Sequence, residues 1–169
     1  NLSDNYNPQA NMSFKELTSD VTYSKNAESL VTDIQSLIKE LKIKDNCDLL
    51  FAIDATGSMK DDINQIQKNL VPMLQSEFEK ENNIRFGLLF YRDYGDSYSY
   101  NGLPVKIFGF TTDYNLFSKN LNSIKILGLE GGDIPEAVYE ALYASEQYFE
   151  WDNKNSKHII LIGDAPAHE

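Results

Sequence analysis

Apolar side chains recur along this chain in two rhythms. Leu30, Ile34, Leu37, Ile38 and Leu41 fall at spacings of three and four, which predicts an amphipathic helix over about 27–42. The run Leu49-Leu50-Phe51-Ala52-Ile53 is continuously apolar and short, the pattern of a strand buried on both faces of a parallel sheet, and it stops at Asp54. After the polar turn Ala55-Thr56-Gly57-Ser58 the helical period returns, through Ile63, Ile66, Leu70, Met73, Leu74 and Phe78.

Further along, Ile84 to about Tyr91 reads as a second strand and Val105 to Phe110 as its neighbour or hairpin partner, with turn residues Gly95, Gly102 and Pro104 between them. Thr111-Thr112-Asp113 offers an N-cap to a short helix carrying Leu116, Phe117, Leu121 and Ile124. Pro135 suits a first helical turn, and Val138, Ala141, Leu142, Ser145 and Phe149 give that helix an apolar face running to Trp151. His158 to Gly163 is the fourth strand, and it ends at Asp164 as the first ends at Asp54. Strands alternating with helices imply an α/β fold with a doubly wound, mostly parallel sheet. Residues 1 to about 26 lack sustained periodicity and read as an extended or weakly ordered lead-in, so 1–46 forms an N-terminal extension ahead of the 47–169 domain.

The formal net charge of -11, from 26 acids against 15 bases, argues against nucleic acid as a partner and suits cations or basic partners. No run reaches the roughly 18 apolar residues of a membrane span. The single cysteine, Cys47, allows no internal disulfide and no thiolate metal site, and reads as a buried core thiol. Asn1-Leu2-Ser3 and Asn11-Met12-Ser13 fit the glycosylation acceptor pattern, which three residues meet often by chance.

In an open parallel sheet, ligands bind outside the carboxyl ends of the strands, where both strand-final aspartates sit. Asp54, Thr56 and Ser58 are spaced by two, so a bent turn can aim one carboxylate and two hydroxyls at a common point while Ala55 and Gly57 face away. Hard oxygens of this kind suit Mg²⁺, with Mn²⁺ or Ca²⁺ as alternatives. Asp54, Asp133 and Asp164 gathered at one place would repel unless a cation neutralised them. Taken singly, Thr56, Ser58 and Asp133 also read as helix caps. Asp93, Asp96 and His168 read as loop residues.

Asp54-Ala55-Thr56-Gly57-Ser58-Met59 resembles the Asp-x-Ser/Thr-x-Ser signature of the metal-ion-dependent adhesion site in von Willebrand factor type A domains. Gly131-Gly132-Asp133-Ile134-Pro135-Glu136-Ala137 and Leu161-Ile162-Gly163-Asp164 fall where that family supplies its second and third contributions, and the likeness covers about Cys47 to Glu169. It implies one divalent cation held by Asp54, Thr56, Ser58, Asp133 and Asp164, and a non-enzymatic adhesion or interaction domain, secreted or on a cell surface. The implied partner is a protein whose acidic side chain completes the metal site. Asp133 stands where adhesion-type members usually carry Thr, and a third carboxylate makes the ion less electrophilic toward such a ligand. The phrases Gly-Gly-Asp-Ile-Pro-Glu-Ala and Gly-Asp-Ala-Pro-Ala-His-Glu also resemble a subgroup of these domains.

Two other readings compete. The same Asp54 motif resembles the aspartyl-phosphate loop of Mg-dependent haloacid dehalogenase-like phosphotransferases, with Asp164 as the metal acid and Lys157 as the lysine. Against it, the helix follows the turn at once, leaving no room for a cap insertion, and no second acid follows Asp164 at the usual spacing. The other is a structural interaction module with a degenerate metal site. Because related domains continue past the acid of the fourth strand, the chain also reads as truncated there, its C-terminal strands and helices missing. His158–Gly163 would then be a bare hydrophobic edge, inviting self-association or cover from another segment.

Overall fold

Strand and helix alternate as the hydrophobic pattern requires, and the sheet they build has one more strand than that pattern predicts. The computed structural model describes residues 18–24, 26–80, 83–92, 100, 102–126 and 135–164, and the side chains of these except 18–24, 135–137 and 164. In chain order the elements are β1 (Thr18–Ser24), α1 (Leu30–Leu41), β2 (Cys47–Asp54), α2 (Lys60–Glu77), β3 (Ile84–Tyr91), β4 (Val105–Thr111), α3 (Tyr114–Asn122), α4 (Pro135–Gln147) and β5 (Ser156–Asp164).

The sheet order is β1-β5-β2-β3-β4, parallel throughout except for the antiparallel pair of β3 and β4. Strand periodicity divides the core in two. Leu49, Phe51 and Ile53 of β2 join the cluster formed by α1, α2 and α3 on one face, while Leu50 and Ala52 join Ala141 and Ala144 of α4 on the other. This is why β2 is apolar at consecutive positions: it has helices above and below it. Gly87 on β3 is small for a local reason, since a Cβ there would meet Leu50 and Phe110 side chains at 3.1 Å.

Asp113 caps α3 as predicted, its Oδ1 accepting from the Asn115 and Leu116 amides. The last helix ends at Gln147, short of the predicted Trp151. The chain turns inward there: Phe149 is buried, and the Trp151 indole donates to the Ser145 carbonyl.

The main difference concerns β1. Its Thr-Ser-Asp-Val-Thr-Tyr-Ser sequence lacks an apolar run, so hydrophobic patterning passes over it, yet Thr, Val and Tyr favour extended backbone. It pairs in parallel with β5 from Thr18↔His158 to Ser24↔Asp164. The β5 edge that was expected to be bare is therefore covered by the chain's own N-terminal segment, and β5 lies between β1 and β2.

Candidate functional site

Strand order reverses at β2: β3 follows on one side, while β5, reached after α4, lies on the other. The crevice at the carboxyl ends of β2 and β5 is the switch point where ligands collect in open α/β sheets. Ile53 pairs with Ile162, which sets Asp54 level with Gly163 and puts Asp164 one residue further out.

Asp54 ends β2 with 0% exposure. Its Oδ1 accepts hydrogen bonds from the Thr56 amide at 2.9 Å and the Thr56 hydroxyl at 2.8 Å. The Thr56 and Ser58 hydroxyl oxygens are 3.4 Å apart. Thr56 is buried and Ser58 exposed, so the three oxygens lead from the interior to the surface. Of the two residues expected to face away, Ala55 does so, joining the core of α1, α2 and α3, as does Met59 beyond the turn. Thr56 makes no side-chain capping bond to the 3₁₀ turn Gly57–Met59 that it precedes. Its hydroxyl serves Asp54 instead, and having donated its proton there, it keeps lone pairs for another centre.

The donors can be compared with what a small dication requires. Oxygens bound at right angles about 2.0–2.1 Å from Mg²⁺ lie about 2.9 Å from one another; the hydrogen-bonded Asp54 and Thr56 oxygens, at 2.8 Å, have that spacing, and the Thr56 and Ser58 oxygens, at 3.4 Å, stand wider. Carboxylate and hydroxyl oxygens are also the hard donors that such ions take.

Of the other predicted ligands, Asp164 is the last residue of β5, with its backbone beside the end of β2, while its carboxylate lies outside the described residues. Asp133 lies outside them altogether, as do Asp93, Asp96, His168 and both glycosylation patterns. Among the described residues, no group of three His, Cys, Asp or Glu gathers to hold a metal. Lys157 sits at the opposite end of β5, donating to the Asn153 and Asn155 carbonyls, far from the Asp54 turn.

Sequence reading missed the wall behind Asp54. Tyr91 pairs with Asp54 in the sheet and is buried, and its hydroxyl lies 3.3 Å from where a Cβ on Gly163 would stand. The same point is 3.7 Å from Asp54 Cβ and 3.9 Å from Asp54 Oδ2. Gly163 is thus the small residue that lets the Tyr91 ring reach across the crevice, and a strand-final tyrosine next to a strand-final aspartate was the available signal.

Residues 48–169 match the family model described as von Willebrand factor A domain. The chain belongs to that family. It is also similar to the alpha-protein kinase vwkA of Dictyostelium discoideum, at 27% identity over 146 residues, or 85% of this chain and 22% of that protein. The chain therefore spans about a fifth of the length of this curated relative. Von Willebrand factor A domains generally mediate protein interactions, and no described helix is long and apolar enough to cross a membrane.

Proposed function

We propose that this domain binds a protein partner through one divalent cation, Mg²⁺ before Mn²⁺ or Ca²⁺, at the carboxyl ends of β2 and β5, and that it is not an enzyme. The observation that carries this reading is the buried Asp54 carboxylate with the Thr56 hydroxyl on its Oδ1 and the Ser58 hydroxyl next in line. Asp54, Thr56 and Ser58 would hold the ion together with Asp133 and Asp164. The bound ion supplies Lewis acidity toward an oxygen of the partner. Asp54 and Thr56 hold their oxygens in place before binding, so little ordering remains to be done when partner and ion meet. Ser58, at the rim, faces the partner.

Calorimetric titration with Mg²⁺ and Mn²⁺ tests the ion. Binding to the wild type and its loss in Asp54→Ala and Thr56→Val, with folding retained by circular dichroism, supports the site. Binding indifferent to Asp54→Ala refutes it. For the partner, a peptide array probed with and without EDTA is expected to show metal-dependent capture of peptides bearing Asp or Glu. Capture that survives EDTA at the same strength counts against the ion's role.

A further inference from the structure

The outer face of α4 is built for contact rather than for solvent alone. Ala141, Ala144 and Ser145 face inward with 0% exposure, which turns Tyr139, Tyr143 and Glu146, at helical spacings of four and three, to the outside. Tyr139 is 49% exposed. Tyr143 continues into Tyr148 just past the helix, with ring centroids 6.3 Å apart, and Tyr148 into Tyr100 at 5.2 Å, both edge to face. Tyr100, from the stretch between β3 and β4, is 43% exposed. Connected, partly exposed tyrosines give a large contact area with little side-chain entropy to lose on binding.

Acids predominate in the stretch of sequence that forms this face. Between Lys125 and Lys154 the chain has no basic residue, while α4 and its exit carry Glu136, Glu140, Glu146 and Glu150. The last turn of α4 has no basic residue to offset the negative end of its dipole. Glu140 Oε1 is buried with no hydrogen-bond partner among the described residues, and burial raises the Glu140 carboxyl above its ordinary range. Aromatic faces amid carboxylates are matched by a guanidinium, which stacks flat on a ring and donates at its edge to acids.

We propose that the outer face of α4, with Tyr100 and Tyr148, is a second protein-docking surface that takes an arginine-bearing basic segment, independent of any ion at Asp54.

An acetylated, amidated peptide alternating Arg and Gly, titrated into the ¹⁵N-labelled chain, tests this. Amide shifts are expected along α4 and around Tyr100 and Tyr148, unchanged in EDTA and in Asp54→Ala. The pair Tyr139→Ser and Tyr143→Ser should weaken binding about tenfold, and Glu146→Gln with Glu150→Gln, a pair that leaves the rings in place, by a few-fold. Replacing Arg by Lys should weaken it several-fold, and replacing Arg by citrulline should abolish it. Equal affinity for the Lys peptide, shifts confined to other acidic surfaces, loss in EDTA, or indifference to both pairs of substitutions would overturn the proposal.

Discussion

Replacing Asp48 by Ala should destabilise this domain more than any change at the Asp54 site. Asp48 is fully buried at the start of β2, where Arg85 of β3 binds it through both carboxylate oxygens at 2.7 Å. The Asp152 amide, at 2.7 Å, and the Asn155 side-chain amide, at 2.9 Å, complete four hydrogen bonds that tie β2, β3 and the turn before β5 together. Breaking a buried ion pair from one side costs about 3–5 kcal/mol. Here the lower part of that range applies, because Arg85 would keep its bond to the Glu150 carbonyl at 2.9 Å and its place over the Phe110 ring at 4.8 Å, and is 29% exposed. About 3–4 kcal/mol corresponds to a fall in Tm of about 6–16 °C for a domain of this size. Urea unfolding followed by circular dichroism gives the free energy, and a cycle with Arg85→Met isolates the coupling. The double variant Asp48→Leu with Arg85→Met should recover most of the loss, because apolar side chains of similar volume replace the pair without leaving a buried charge. A loss below about 1 kcal/mol in Asp48→Ala would refute the reasoning. Six residues, or about 20 Å of strand, separate Asp48 from Asp54, so Mg²⁺ binding by the folded fraction should not change.

Burial works to raise the Asp48 carboxyl, but Arg85, the Asp152 amide and Asn155 outweigh it, leaving its pKa below the ordinary carboxylate value. Its contribution is therefore complete above the unfolded value near 3.9 and is lost as pH falls below that, toward the native pKa. Acid titration of stability should show a slope below about pH 4 that is reduced in Asp48→Asn. Deleting residues 1–25 removes β1 and bares β5, whose Ile159, Ile160, Leu161 and Ile162 are apolar. Light scattering should then show self-association absent from the full chain, and a monomeric deletion product would contradict the role given to β1. Burial pushes the Cys47 thiol up to about 11, so thiol reagents at pH 8 should label it only after denaturant is added. Gly163→Val places side-chain atoms against the Tyr91 hydroxyl and Asp54, so calorimetry should show weakened Mg²⁺ binding.

Legibility in the sequence followed burial. β2, β3, α2 and the Asp113 cap were readable because their apolar positions face helices on known sides, so period and type agree. The Asp54-Thr56-Ser58 turn was readable for the same reason, since a polar triplet between two buried elements has to face something. β1 was not: its Thr-Ser-Asp-Val-Thr-Tyr-Ser sequence has no apolar run, and the strand it pairs with is distant in sequence. Asp48 was passed over because it stands at the head of an apolar run, although a charge within a strand buried on both faces requires a partner. Arg85, the second residue of β3 as Asp48 is of β2, was the signal, and register pairs the two directly.

This pairing explains how the ends of the sheet differ. At the amino ends of β2 and β3 the acid meets a fixed intramolecular cation, every carboxylate oxygen is satisfied, and the result is rigidity. At the carboxyl ends, Asp54 closes β2 with hydroxyls and a glycine around it, and its Oδ1 accepts from the amide and hydroxyl of Thr56. On the proposed function, the same residue type holds the fold at one end of β2 and binds an ion at the other. Ser58→Lys, which sets an ammonium group at the rim beside Asp54, should therefore abolish Mg²⁺ binding, and a variant that still bound the ion would count against Asp54 as its ligand.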